Sequence, residues 1–292
     1  MRSFEDMNPV VVFVILLACP GVTMFCFDPV MLVLSLAGAL SLWIVRNDTG
    51  GAKLNLSVLS LFIIVPLINI LTVHNGKTIL FIMNNKPMTL ESLLYGVMTA
   101  TMLTSVFLWF RSFSQIMTSD RLLHVFGFLS PKTALLLTMA LRFVPLYAKQ
   151  AKRIDDAQRA VGIYAGDTMI DTIKGKTRVF SALTTWALEN GIITADSMAC
   201  RGSGCARRTS FSRYKWRKSD ITALIIALII TLICTIAIIK DHVGFEFYPT
   251  FEKIKTAPFS VAAYIAFAVL AFLPTMLEAR EMIKWTLLKS KI

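Results

Sequence analysis

The sequence predicts an all-α, polytopic membrane protein with about six transmembrane helices and a helical cytoplasmic domain inserted between the fourth and the fifth. Of its 292 residues, 55% are hydrophobic and only 16% are charged, whereas soluble domains carry about 25% charged residues. The formal net charge is nevertheless +12. Most of it lies in one block, because residues 111–219 hold 18 of the 30 Lys and Arg residues but only 7 of the 18 Asp and Glu residues.

Six stretches without a charged residue are long enough, or nearly long enough, to cross a bilayer, which takes roughly 20 mostly apolar residues. Each is apolar on all faces, whereas a helix on the surface of a soluble core would keep a polar stripe. The first two meet at Asp28-Pro29, which predicts a tight helical hairpin. The six stretches are Val10–Phe27, Pro29–Val45, Asn55–Val73, Ser92–Phe110, Ile221–Ile239 and Ala257–Leu277.

The distribution of Lys and Arg between the connecting segments predicts the orientation, since cytoplasmic loops carry an excess of these residues. We expect both termini and the basic block in the cytoplasm, where the block can lie against anionic lipid headgroups. The predicted domains are 1–110 with about four spans, the block 111–219, and 220–292 with about two spans and a cytoplasmic tail. A localised charge on an apolar chain does not indicate nucleic-acid binding.

The basic block is predicted to contain two long helices. The first begins after Ser130-Pro131, runs over Lys132–Val161 and ends at Gly162, because a Pro after a Ser opens a helix and a Gly closes one. The second runs over Thr177–Arg201 and ends before Gly202. The basic and aromatic residues that follow, 205–218, suit an anchor at the headgroup level.

Three further breaks are expected within these helices. Pro145 should kink the first one. A short helix to about Ile173 should precede the second, Gly175 should interrupt the chain there, and Gly191 is a candidate break that would divide the second helix in two.

No ionisable residue lies inside the six stretches, which argues against a transporter that couples to ions by itself. Small residues recur at a spacing of four in two of the stretches, which permits close helix contact and predicts a face for another helix or subunit. These residues are Gly96, Ala100 and Thr104 in the fourth stretch, and Ala262 and Ala266 in the sixth.

Catalytic and cofactor chemistry finds little support in the sequence. Ile170–Thr177 ends like a phosphate-binding loop but lacks its first Gly and a preceding strand. The Cys and His residues form no metal-binding spacing, and three of the five Cys lie in apolar stretches as small hydrophobic residues. Asp155 and Asp156 are the only adjacent acids in the block, and pairing with nearby Lys152, Arg153 and Arg159 on the same helix is their expected role.

Both long helices end in an Arg close to a Gly that stops the helix. The ends read "DAQRAVG" at Asp156–Gly162 and "ADSMACRGSG" at Ala195–Gly204. Arg binds carboxylates in a forked geometry and keeps its charge. The two helix ends are therefore predicted to bind an acidic groove on a partner through their guanidinium groups.

At these residues the sequence resembles the transmembrane T component of energy-coupling factor (ECF) transporters, the EcfT/CbiQ family, whose signature is an Ala-Arg-Gly-type triplet at the end of each of two cytoplasmic coupling helices. The second triplet matches at Arg201 and Gly202, with Cys200 in place of Ala. The first matches at Ala160 and Gly162, but Val161 stands at the Arg position. Three further segments resemble the family: Asn84–Gly96, Leu129–Tyr147 and Thr184–Met198.

The resemblance implies a non-catalytic subunit in the plasma membrane of a prokaryote. Such a chain docks two ABC-type ATPases through its coupling helices and holds a membrane substrate-binding S component, which carries a vitamin or a metal ion such as cobalt inward. ATP is bound by the partner subunits and no cofactor by this chain. At the end of the first coupling helix, either Arg159 substitutes for the missing Arg or the helix end docks by packing alone. A membrane enzyme acting on a phosphorylated lipid and a self-contained permease are the alternatives.

Overall fold

The computed structural model describes residues 4, 7–46, 56–73, 78–83, 86–163, 168–203, 205, 214, 216–245, 247 and 257–289. Helices make up most of this part of the chain, and the predicted all-α, polytopic membrane class is confirmed. The elements are, in chain order, α1 Pro9–Phe25, α2 Pro29–Arg46, α3 Leu56–Thr72, β1 Ile79–Met83, β2 Lys86–Thr89, α4 Leu90–Ile116, α5 Ser119–Leu129, α6 Pro131–Ala160, α7 Met169–Cys200, α8 Lys218–Ile239 and α9 Pro258–Lys289.

Six of these helices cover the six apolar stretches. Four of them, α2, α4, α8 and α9, are long and apolar enough to cross a membrane. The helices α1 and α3 have 17 residues each, so each rises about 26 Å, at the short end of what a bilayer core requires. Large apolar side chains stay exposed along α8, as expected of a surface that lipid covers. They include Ile221, Ile225, Leu228, Ile229, Leu232 and Ile239.

A short β-hairpin interrupts the helical pattern and was not predicted. β1 pairs with β2 in antiparallel register, with Met83 opposite Lys86. The sequence prediction placed this segment in an outer loop, because two strands of five and four residues, one containing Pro87, give only a weak alternating pattern. The hairpin leads directly into α4, where the Thr89 hydroxyl accepts a hydrogen bond from the Ser92 amide over 3.3 Å and so caps the helix.

The chain divides into two compact units. The first comprises Met1–Leu122 and Tyr214–Ile292, and the second comprises Leu123–Arg213. The first unit thus joins the spans that precede the basic block to those that follow it: α1 packs on α8, and α2 packs on α9. The first residues of the predicted block belong to the end of α4, which continues to Ile116.

The first unit has a core of buried apolar side chains from α1, α2, α4 and α9, among them Val11, Ile15, Leu16, Met31, Leu42, Trp109, Phe267 and Leu270. A small polar cluster lies within it. The Ser35 and Ser105 hydroxyl oxygens are 2.6 Å apart, and the Trp109 indole N–H donates to Ser35 over 3.2 Å. These bonds hold α2 against α4, since a polar group in a dry interior requires a partner.

Close backbone packing and an ion pair both hold α2 against α9. A Cβ atom added at Gly38 would lie 2.8 Å from the Ala271 Cβ and 3.0 Å from its carbonyl oxygen, so the two helices meet where one of them has no side chain. Eight residues along α2, the Arg46 guanidinium lies 2.8 Å from the Glu278 carboxylate. Both side chains are mostly buried, with 17% and 10% of their surface exposed.

The Arg46–Glu278 pair gives a first prediction. Arg46→Ala should destabilise the protein by about 3 kcal/mol, because it leaves the Glu278 carboxylate buried without its counter-charge. Arg280→Ala is the matched control, since Arg280 lies two residues along α9 and is exposed. Thermal unfolding of the purified proteins in detergent should show a clearly larger drop for Arg46→Ala. Equal melting temperatures for the two variants would mean that the pair contributes nothing.

The second unit contains two long helices. As predicted, the first begins after Ser130, with α6 starting at Pro131. The predicted breaks in the second helix are wrong: α7 is one continuous helix over Met169–Cys200 that includes Gly175 and Gly191. A Gly inside a helix costs only about 1 kcal/mol relative to Ala, and packing of α7 on α6 offsets this. The phosphate-loop-like string at Ile170–Thr177 is therefore helical. Most of the predicted headgroup anchor, 205–218, lies outside the described residues.

Candidate functional site

The helices α6 and α7 pack as an antiparallel pair. The ring centroids of Tyr147 and Trp186 lie 5.8 Å apart, and the Lys176 ammonium lies 3.0 Å from the Asp155 carboxylate. From the first contact to the second, the residue number rises from 147 to 155 along α6 but falls from 186 to 176 along α7. The C-terminal ends of the two helices therefore lie at opposite ends of the pair, roughly 45 Å apart along the helix axes at 1.5 Å per residue.

We call residues 157–163 the first tip. Here α6 ends in a Schellman motif: the Gly162 amide donates to the Arg159 carbonyl over 2.9 Å, and the Ile163 amide donates to the Gln158 carbonyl over 3.1 Å. Gly162 has φ +75°, a left-handed conformation that favours Gly. The last turn of α6 is thereby closed, and Val161 stands at the C-cap position with φ −80° and ψ −4°.

We call residues 197–203 the second tip, and its backbone repeats the first. The Gly202 amide donates to the Ala199 carbonyl over 2.9 Å, and the Ser203 amide donates to the Met198 carbonyl over 3.0 Å. Gly202 has φ +77°, and Arg201 occupies the C-cap with φ −83° and ψ 8°. Arg201 and Val161 are thus structurally equivalent, as are Cys200 with Ala160 and Gly202 with Gly162.

The second tip presents a small, polar surface around its Arg. Cys200, Arg201, Gly202 and Ser203 are all exposed, and among residues 195–203, all of which are described, none is a large apolar residue with an exposed side chain. The guanidinium can therefore be approached from solvent without displacing packed neighbours.

Arg159 is placed differently from Arg201. It lies two residues before the C-cap of the first tip, and its Nε atom is 3.4 Å from the Asp155 carboxylate one turn earlier. The same carboxylate receives Lys176 from α7. The predicted ion pairing on this helix is thus confirmed for Asp155 and Arg159, and it orients the Arg159 side chain back along α6, away from the position equivalent to Arg201.

The two rows of small residues lie in different surroundings. Gly96 packs inside the chain, since a Cβ atom there would lie 2.9 Å from the Pro66 Cα of α3. Ala100 and Thr104 are buried as well, so this row is not open to another subunit. On α9, by contrast, Ala262 is exposed and Ala266 partly exposed, so this row stays accessible.

Among the described residues, no group of three His, Cys, Asp or Glu side chains could hold a metal ion. Cys19, Cys26 and Cys234 are buried, as predicted for small hydrophobic residues in apolar stretches. Cys200 and Cys205 are exposed. What the described part of the chain offers is therefore a pair of helix tips with matching backbones.

Gly202 provides a test of the tip geometry. A Cβ atom there meets nothing within 4 Å, so Gly202→Ala should cost only the left-handed backbone conformation, about 1–2 kcal/mol. We expect faster hydrogen exchange at the amides of residues 202 and 203. Gly202→Asn should restore much of the protection, because Asn tolerates this conformation. Gly191→Ala, also in open space but at a helical φ, is the control and should leave exchange unchanged. Unaltered exchange in Gly202→Ala would contradict the closed tip.

Comparison with known proteins gives two relatives. One is the energy-coupling factor transporter transmembrane protein EcfT of Lactobacillus helveticus, 31% identical over 122 residues, which are 41% of this chain and 43% of the relative. The other is EcfT 1 of Listeria monocytogenes, 30% identical over 100 residues, which are 34% of this chain and 38% of the relative. The predicted resemblance to EcfT is confirmed.

The likeness to EcfT covers part of each protein. The matched segments span about two fifths of the length of either relative, and no family model matches the chain. Both relatives are named as transmembrane proteins of a transporter, in keeping with a multi-pass membrane protein that carries several apolar helices.

Proposed function

We propose that this EcfT-like chain is the transmembrane scaffold and coupling subunit of an ATP-driven, ECF-type importer. It docks two ABC-type ATPase subunits through its two tips and holds a membrane substrate-binding S component, and the assembly takes up a vitamin or a metal ion. The chain itself is non-catalytic and holds no cofactor, since ATP binds to the partner subunits. Its N- and C-termini lie in the cytoplasm of the prokaryotic cell.

The observation that carries this proposal is the pair of equivalent helix ends. Two Schellman-closed tips lie at opposite ends of one antiparallel helix pair, roughly 45 Å apart. At that separation a single groove would have to be very long to receive both tips. Two subunits of ordinary domain size, lying side by side, can receive one tip each. The relatives are named energy-coupling factor transporter transmembrane proteins, which agrees with partners that supply energy.

Arg201 is the residue that we place in the groove of one ATPase. It is exposed at the end of α7, where the partial negative charge of the helix C-terminus favours a cation. A guanidinium can bind a carboxylate of the groove through two parallel hydrogen bonds. Cys200 and Gly202 flank it, and their small size lets a groove wall approach the Arg201 backbone closely.

Coupling then follows from the stiffness of the helix pair. When the ATPases close on ATP and reopen, they displace the two tips, and the packed contacts between Tyr147 and Trp186 and between Asp155 and Lys176 make α6 and α7 move as one body. On the membrane side, we place the S component on the apolar outer face of α9, where Ala262 and Ala266 leave room for another helix.

The experiment is co-purification combined with alkylation of Cys200. We expect two ATPase subunits to co-purify with the tagged chain. In a Cys205→Ser variant, Cys200 is the exposed Cys that remains among the described residues, and the ATPases should slow its reaction with a maleimide. Turnover of a phosphorylated lipid by the isolated chain would instead support an enzyme, and substrate binding by it alone a permease. If bound ATPases leave the rate of Cys200 alkylation unchanged, the second tip is not part of the interface.

A further inference from the structure

The first tip and the start of α7 together carry an apolar surface, whereas the second tip carries Arg201. Five large apolar side chains are exposed at the end of α6 and the start of α7: Val161, Ile163, Met169, Ile170 and Ile173, with 77%, 43%, 81%, 64% and 60% of their surface accessible. On α7, Ile173 lies one turn after both Met169 and Ile170, at spacings of four and three residues, so its side chain neighbours each of theirs. We call these five residues the apolar tip surface.

We propose that the first tip docks to its ATPase by burying the apolar tip surface, with Val161 at the C-cap, in an apolar groove and without an Arg contact. This inference rests on the proposed function, and it identifies the chemistry of one of the two docking sites. The occupant is an ATPase subunit because the backbone that presents Val161 is the same as the one that presents Arg201, so the two tips suit the same kind of receiving fold.

The positions of the nearby cations support apolar docking. Arg159 is directed to Asp155 within its own helix, and Lys176 binds the same carboxylate from α7. To act in place of the missing Arg, Arg159 would have to give up its contact with this carboxylate. Its side chain would also have to extend beyond the C-cap residue, although Arg159 lies two residues before it. Val161, by contrast, already stands at the end of the helix and is more than three-quarters exposed.

The cap geometry points the same way. In a Schellman motif the residue after the Gly often packs its apolar side chain near the last turn. Ile163 holds this position in the first tip and Ser203 holds it in the second. The two tips thus share a backbone and differ consistently in side-chain chemistry, so the grooves that receive them differ in the same sense, one apolar and one acidic.

The test isolates the first tip in an Arg201→Glu background. The probe is the pair of ATPases that co-purifies with the wild-type chain, and the readout is its dissociation constant for each variant in detergent. Val161→Thr keeps the branched shape but adds a hydroxyl, and we expect about tenfold weaker binding. Val161→Ile should bind as the parent does, and Val161→Arg should bind more weakly than Val161→Ile.

Tighter binding by Val161→Arg than by the parent would overturn the proposal, because it would reveal an acidic groove at the first tip. Equal binding by Val161→Thr and the parent would overturn it too, as would a complete loss of binding in the Arg201→Glu background alone. All three outcomes leave the proposed function intact. That function fails separately, if the wild-type chain with both tips intact binds no ATPase.

Discussion

Arg201→Glu is expected to abolish ATP-driven uptake and to weaken ATPase binding by at least thirtyfold. A buried, hydrogen-bonded charge pair that loses one partner costs about 2 kcal/mol or more, which corresponds to roughly that factor. Reversal of the charge adds repulsion from the groove carboxylates. The measurement is the dissociation constant of the ATPases, followed by uptake in reconstituted vesicles.

The matched control for Arg201 is Arg178→Glu, which makes the same change of charge at an exposed position of the same helix. It should leave ATPase binding and uptake within about twofold of the wild type, because surface charges away from an interface contribute little. Arg159→Ala should have an effect smaller than that of Arg201→Ala. Wild-type uptake by Arg201→Glu would show that this residue has no coupling role. A larger loss of ATPase binding in Arg159→Ala than in Arg201→Ala would show that Arg159 is the more important of the two residues.

Gly38→Ala should destabilise the membrane unit by about 1–3 kcal/mol, the usual cost of forcing a methyl group into a well-packed interior. The added Cβ would lie 2.8 Å from the Ala271 Cβ and 3.0 Å from a backbone oxygen, so α2 and α9 must separate. Melting temperature in detergent is the measurement. The same separation should disturb the buried Arg46–Glu278 pair, which closes the same helix contact.

Gly21→Ala is the control for this packing effect. Gly21 lies inside α1, and a Cβ atom there meets nothing within 4 Å, so the variant gains helix propensity without a clash. We expect its melting temperature to equal or exceed that of the wild type. A Gly38→Ala protein as stable as Gly21→Ala would show that the α2–α9 contact adjusts without cost.

The sequence predicted those features that depend on local signals. The six apolar helices follow from long apolar stretches, the start of α6 follows from Ser130-Pro131, and the ends of both long helices follow from Gly162 and Gly202. These signals act within a few residues, so the chain order alone reveals them.

Features that depend on tertiary contact were missed. The continuity of α7 through Gly175 could not be predicted, because Gly175 is buried in the structure and its helical state depends on packing rather than on propensity. The Gly38–Ala271 contact joins residues more than 200 positions apart. The row from Gly96 to Thr104 showed its spacing in the sequence, but only the structure shows that α3 packs at its start.

The difference between the two tips could be predicted only in part. The motif pattern aligned the two positions, whereas the placement of Arg159 against Asp155 required coordinates. The alternatives at the first tip therefore stood open in the sequence, and the apolar tip surface became visible only once the exposure of Met169, Ile170 and Ile173 was known.

The central claim is that two tips of one chain engage two ATPase subunits, and the mass of the intact complex tests it most directly. Native mass spectrometry of the complex purified through a tag on this chain should give one copy of the chain with two ATPase subunits. Arg201→Glu should shift the population towards complexes that lack the ATPase of the second tip, whereas Arg178→Glu should not. A wild-type complex that holds only one ATPase, or none, would contradict this claim.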